Sequence, residues 1–142
     1  MFRILALFLL PLFALSAQAA DIQVFKSPTC GCCGAWVEIM RDKGHSVSVV
    51  DRDDLDLIKQ MAGVPEEMQS CHTAMVDGYV LEGHVPPEDV DRLLSERPRA
   101  RGLAVPGMPA GSPGMEMPDG AKDPYATILF DRDGKARIFQ RH

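Results

Sequence analysis

Apolar and polar positions alternate in short blocks along this chain, and the period of each block predicts an element. Ile22-Gln23-Val24-Phe25 reads as a short strand, Lys26-Ser27-Pro28-Thr29 as a loop, and Ala35 to Lys43 as an amphipathic helix stopped by Gly44. His45 to Val50 alternates and is rich in Val, which predicts a second strand. Asp54 to Met61 suits a short helix with Asp53 or Asp54 as its N-cap. Thr73-Ala74-Met75-Val76 and Tyr79-Val80-Leu81-Glu82, joined by Asp77-Gly78, form the strongest hairpin signal in the chain. Pro86 and Pro87 then open a helix through about Glu96, with Glu88, Asp89 and Asp91 toward its N-terminal end and Arg92 and Arg97 toward its C-terminal end.

The order β-α-β-α-β-β-α is that of a thioredoxin-like α/β domain. Two further segments follow it. Residues 102–120 are so rich in Gly and Pro that they predict a loop without strand or helix interiors. Ala126 to Phe130 and Lys135 to Phe139, around Asp131-Arg132-Asp133-Gly134, predict an extra hairpin spanning 126–139.

The unbroken apolar run from Ile4 to Leu15 fits none of these periods. It follows Arg3 and ends in Ser16-Ala17-Gln18-Ala19-Ala20, the pattern of a cleaved secretory signal peptide with the cut after Ala19. About twelve apolar residues are too few to cross a bilayer, so the expectation is an exported domain over 20–142 that is not embedded in a membrane. Of the 142 residues, 46% are hydrophobic and 25% charged, and removing residues 1–19 moves the formal net charge from −5 to −6 through the loss of Arg3. A mildly acidic surface without a basic run excludes nucleic acid as a partner.

Export changes how the cysteines read. Cys30, Cys32, Cys33 and Cys71 are an even number in an oxidising compartment, which ordinarily signals structural disulfides. Three of them crowd into Thr29-Cys30-Gly31-Cys32-Cys33-Gly34, where pairing closes almost no loop. Such a cluster suits thiol redox chemistry or a soft metal, since thiolate is both nucleophile and ligand. The motif lies where a strand hands over to a helix N-terminus, whose dipole favours thiolate. Read as Cys30-x-x-Cys33 it is a redox pair, and Cys32 is a third sulfur that a dithiol exchanger does not need.

In the predicted topology Cys71-His72 and Gly83-His84 reach the same sheet edge as the cysteine motif, which makes His72 and His84 candidate ligands. His45 reads as a surface residue and His142 as a disordered terminal one. The Gly/Pro segment carries Met108, Met115 and Met117. A thioether favours Cu(I), and a loop bearing it can close over thiolates.

Thr29-Cys30-Gly31-Cys32-Cys33, Cys71-His72-Thr73, Glu82-Gly83-His84-Val85-Pro86 and the stretch from Gly107-Met108-Pro109 to Gly114-Met115-Glu116 together resemble the CopG-type family of periplasmic metal-binding proteins. The resemblance implies a thioredoxin-like fold, export to the periplasm and a role in copper resistance or homeostasis. It further implies a sulfur core of Cys30, Cys32, Cys33 and Cys71, with His72, His84 and Met108 as additional metal contacts.

The expected function is therefore capture of Cu(I), with room for a multinuclear cluster and for redox exchange between copper and the Cys30/Cys33 pair. Zinc is a weaker fit, because three ligands within four residues suit one tetrahedral ion poorly. Expected partners are copper ions and a copper exporter, chaperone or redox protein. The alternative is a metal-independent thiol-disulfide oxidoreductase with Cys30 attacking and Cys33 resolving. Exchangers of that type generally place a cis-proline where this chain has His72.

Overall fold

The structure, a computed structural model, describes residues 19–142. The predicted signal peptide, apart from Ala19, lies outside the described residues. The fold is α/β. In chain order it comprises β1 (Asp21–Lys26), α1 (Gly31–Asp42), β2 (Ser46–Asp51), α2 (Asp56–Ala62), a single 3-10 turn (Glu66–Met68), β3 (Thr73–Val76), β4 (Tyr79–Glu82), α3 (Pro87–Glu96), β5 (Gly102–Ala104), β6 (Ala126–Phe130) and β7 (Ala136–Arg141). The strands form one sheet in the order β2-β1-β3-β4-β5-β6-β7.

Register decides which loops meet. β1 pairs antiparallel with β3 through Phe25 and Thr73, and β3 pairs antiparallel with β4 through Thr73 and Glu82. β4 and β5 run parallel, Glu82 beside Ala104. The segment leaving β1, the segment entering β3 and the segments leaving β4 and β5 therefore share one sheet edge. The hairpin that sets this register turns at Asp77 and Gly78, both at positive φ (47° and 82°), as a two-residue hairpin turn requires.

Burial follows the predicted periods. Ile22 and Val24 on β1 and Trp36, Val37 and Met40 on α1 join Leu81, Val85, Val90, Leu93 and Leu103 in the main core. Trp36 is fully buried and its indole N–H donates to the Val85 carbonyl at 2.9 Å, so a large side chain is both packed and satisfied. On the other face of the sheet a smaller cluster gathers Ala62, Val64, Val80, Ala104 and Phe130.

Four expectations need correction. The 102–120 segment is not loop throughout, because Gly102, Leu103 and Ala104 form β5 between β4 and β6. Gly102 is there for close approach: a Cβ at that position would sit 1.8 Å from the Val80 carbonyl oxygen. The second helix starts at Asp56, with Leu55 and not an aspartate at its N-cap; Asp54 instead accepts from the Asp56 N–H at 2.9 Å. His45 is buried, its Nδ1 accepting from the Ala20 N–H at 3.3 Å. His142 is held in place, its Nε2 2.8 Å from Asp89 and its ring stacked on Tyr125 with centroids 4.8 Å apart. In both histidines a long-range partner overrode a reading made from local position.

Replacing Trp36 with Phe keeps most of the apolar volume but leaves the buried Val85 carbonyl without its donor. The expected loss of stability is about 1–3 kcal/mol, read from urea unfolding.

Candidate metal centre

Cys30 is the N-cap of α1 and its sulfur accepts from the Cys33 backbone N–H at 3.3 Å. This cap starts the helix four residues before the predicted Ala35 and draws Cys32 and Cys33 into its first turn. No acidic side chain occupies that turn, so the positive end of the helix dipole acts on the sulfurs alone. Cys30 and Cys33 are joined as a disulfide, and among the described residues Cys32 and Cys71 are the free thiols. Cys32 Sγ lies 3.5 Å from Cys30 Sγ.

The predicted convergence is present. One ligand atom from each of Cys30, Cys32, Cys33 and Cys71 lies within 4.8 Å of all the others, and Cys71, His72 and His84 form a second such group. Cys71 belongs to both. Cys33 is buried while Cys30, Cys32 and Cys71 are half-buried, so the sulfurs face outward and the imidazoles stand behind them.

Hydrogen bonding orients the histidines. His84 Nδ1 lies 2.7 Å from the Pro113 carbonyl oxygen, which accepts only, so Nδ1 carries the proton. Nε2 is then the lone-pair nitrogen, and it points at Cys71 Sγ 2.9 Å away. A carbonyl fixing one nitrogen so that the other faces the site is the usual support of a ligating histidine. His72 Nδ1 is 3.4 Å from Cys71 Sγ, while its fully buried Nε2 has no hydrogen-bond partner. Its ring lies against Trp36 on one side and edge-on to His84 on the other, with centroids 4.6 and 5.1 Å away.

Burial sets the protonation states. It pushes the Cys71 thiol up to about 12, with the neighbouring Cys32 adding to the effect. It holds His72 well below the ordinary imidazole range, helped by the charges of His84, Lys59 and Lys26, and lowers His84 against the pull of the Pro113 carbonyl. Without a cation, the site thus rests as a thiol donating to a neutral imidazole.

The Gly/Pro segment was expected to close over the thiolates; sequence reasoning missed which of its residues do so and what braces the site from behind. Pro113 and Gly114 bring the Gly/Pro/Met segment onto it. Gly114 has φ +85°, and a Cβ there would sit 2.7 Å from the Cys32 carbonyl oxygen and 2.9 Å from the Trp36 nitrogen. The same segment is tied at Gly107, whose carbonyl accepts from the Ser70 hydroxyl and whose N–H donates to the Gln69 carbonyl. Between and beyond these ties Met108 and Met117 are exposed and Met115 is half-buried. Behind Cys71 and His72, Lys59 and Glu82 form a buried ion pair at 2.5 Å. A charged residue on a strand buried along its whole length, as Glu82 is on β4, was the available signal.

Two solved forms of a copper resistance protein, CopG, match the chain at 39% and 40% identity. Each covers 88% of this chain, the matches span 99% and 98% of theirs, and the TM-scores are 0.83 and 0.82. The chain belongs to the CopG family. A family model described as a protein of unknown function, DUF411, also matches residues 68–115, the stretch that carries Cys71, His72, His84 and Met108. No curated protein matches the sequence significantly.

Replacing Gly114 with Ala forces the segment away from α1. The expected result is a stability loss of about 1–3 kcal/mol and release of His84 Nδ1 from Pro113. Nitrogen NMR of the His84 ring checks this: a single Nδ1–H tautomer in the parent protein, a mixture in the variant.

Proposed function

We propose that this protein is an exported, periplasmic copper-binding protein of copper resistance and homeostasis that captures Cu(I) on Cys30, Cys32, Cys33 and Cys71, with His72 and His84 behind them. The observation that carries this reading is the donor set: four sulfurs within 4.8 Å of one another, sharing Cys71 with two imidazoles. Clustered thiolates select soft monovalent copper over harder divalent ions, and a bridging thiolate lets such a cluster hold more than one ion. A closed tetrahedral zinc site needs four ligands directed at one point, whereas here six donors crowd two overlapping groups. Met108, Met115 and Met117 are assigned to the approach of the metal, as thioethers on the segment whose Pro113 and Gly114 lie against the site, with Met108 the candidate ligand.

As the metal arrives, the Cys71 thiol proton leaves for solvent by way of His84 Nε2, which is left neutral with its lone pair turned toward the site. The Cys30–Cys33 disulfide leaves two free sulfurs, so full occupancy follows its reduction. That reduction consumes two electrons, the number released when two Cu(I) become two Cu(II). The same site can thereby interconvert copper oxidation states, one disulfide exchanged for one dithiolate. A copper exporter, a chaperone or a redox protein would receive or supply the ions. Among the described residues no helix is long and apolar enough to cross a membrane.

The disulfide also supports a second reading, thiol-disulfide exchange on protein substrates in the manner of thioredoxin, with Cys30 attacking and Cys33 resolving. His72 immediately before β3, where such enzymes present a proline to substrate backbone, favours metal.

Anaerobic Cu(I) titration of the reduced protein against a competing chelator decides between them. The copper reading expects capture tighter than the chelator, weakened on the order of tenfold or more in both Cys32→Ser and Cys71→Ser. No capture by the parent protein sinks it. In an insulin-reduction assay the rival expects Cys32→Ser to remain active and Cys30→Ser to be dead.

A further inference from the structure

The Lys59–Glu82 ion pair holds neither sulfur nor imidazole, yet every side-chain hydrogen bond that leaves the pair ends beside a residue that does. Lys59 on α2 is 4% exposed and Glu82 on β4 is 0% exposed. Taking both charges out of water is costly, and their attraction repays it only with good geometry and further hydrogen bonds. Packing does not demand them. Val80, two residues earlier on the same face of β4, sits in an apolar cluster with Ala62 and Val64.

The Glu82 carboxylate accepts from three donors: Lys59 Nζ at 2.5 Å, the Ser70 backbone N–H at 2.8 Å and the Thr73 hydroxyl at 2.6 Å. Lys59 also donates to the Thr73 hydroxyl at 3.1 Å. Ser70 and Thr73 are the residues immediately before and after Cys71-His72. One side chain thus grips both ends of that dipeptide, while its own backbone runs through Gly83 to His84. The Gly83 N–H donates to the His72 carbonyl at 2.9 Å, closing the bracket. Gly83 leaves no slack either, since a Cβ on it would lie 2.5 Å from Ser70 Cβ.

We propose that Glu82, paired with Lys59, is a positioning residue that clamps the Cys71-His72 dipeptide against the strand leading to His84 and so sets the Cys71–His84 spacing used in metal capture. This rests on the copper reading above for its function but not for its geometry. Lys59 offsets the charge of the carboxylate and orients it. Thr73 and Ser70 pass its position to the ligands through one bond each.

The test uses Glu82→Gln, Thr73→Val and Lys59→Arg, each checked for native near-UV circular dichroism. Two quantities are measured. The first is the ratio of Cys71 to Cys32 alkylation by iodoacetamide in the oxidised protein, where only these two thiols react, read by mass spectrometry. The second is Cu(I) affinity of the reduced protein by chelator competition. Glu82→Gln is expected to weaken Cu(I) binding about 10–100-fold, the range for residues that orient metal ligands, and to change the alkylation ratio several-fold. Lys59→Arg keeps the charge but replaces the one nitrogen that contacts both Glu82 and Thr73, so it is expected to move both readings in the same direction as Glu82→Gln but by less. A role in stability alone would lower the melting temperature and leave the alkylation ratio where it was. A folded Glu82→Gln with affinity within about twofold of the parent and an unchanged ratio overturns the proposal. If Glu82→Gln does not fold, Thr73→Val decides, since it removes one hydroxyl donor at nearly constant volume, and the same pair of unchanged readings overturns the proposal. If the parent protein captures no Cu(I), the copper reading fails, and the alkylation ratio alone then decides the clamp.

Discussion

The antiparallel register that sets Thr73 between Phe25 and Glu82 is the constraint on which the site depends. A side-chain period of two means that a slip of one residue would reverse every face of β3. It would part Thr73 from Glu82, whose buried hydrogen bond depends on their facing each other, and move Cys71 away from the end of β1. The Asp77-Gly78 turn and the apolar faces of Ala74 and Val76 prevent that slip. With the register held, a motif on a helix N-terminus, a dipeptide before one strand and a histidine after the next are brought together without any long loop.

The site combines opposed environments at one sheet edge. Cys30 and Cys32 stand half-buried on the helix side, open to an approaching cation, with Cys33 buried beneath them. Imidazoles stand buried on the strand side, where desolvation keeps them neutral and a carbonyl or an aromatic face fixes their planes. Cys71 lies on the boundary and belongs to both groups. On the copper reading proposed above, such a boundary would let a soft ion exchange at the outer sulfurs while the inner imidazoles keep their positions.

Behind this boundary the molecule spends polar groups where apolar ones would pack. Lys59, Glu82 and Thr73 form a satisfied buried network, and Asp89, Thr127 and His142 form another that fastens β6 and the last residue to α3. Satisfied networks of this kind specify one arrangement more narrowly than hydrophobic contact does, because hydrogen bonds are directional.

Much of this was legible in the chain. Periodicity located the strands and helices, Asp77-Gly78 announced the hairpin, and the crowding of Cys30, Cys32 and Cys33 marked them as chemistry, not staples. These are local signals, carried by residues close in sequence. Topology then followed from the order of the elements, and with it the meeting of Cys71, His72 and His84 with the cysteine motif. What local signals misjudged depended on distant partners. Gly102 looked like a loop residue because nothing nearby shows that the Val80 backbone will press against it. His45 and His142 looked free because their partners, Ala20 and Asp89, lie far along the chain. Which nitrogen of His84 faces the metal site is decided by the Pro113 carbonyl, 29 residues away. The sequence determined which groups would do chemistry; folding decided their orientation, protonation and support, because those are set by contacts between segments.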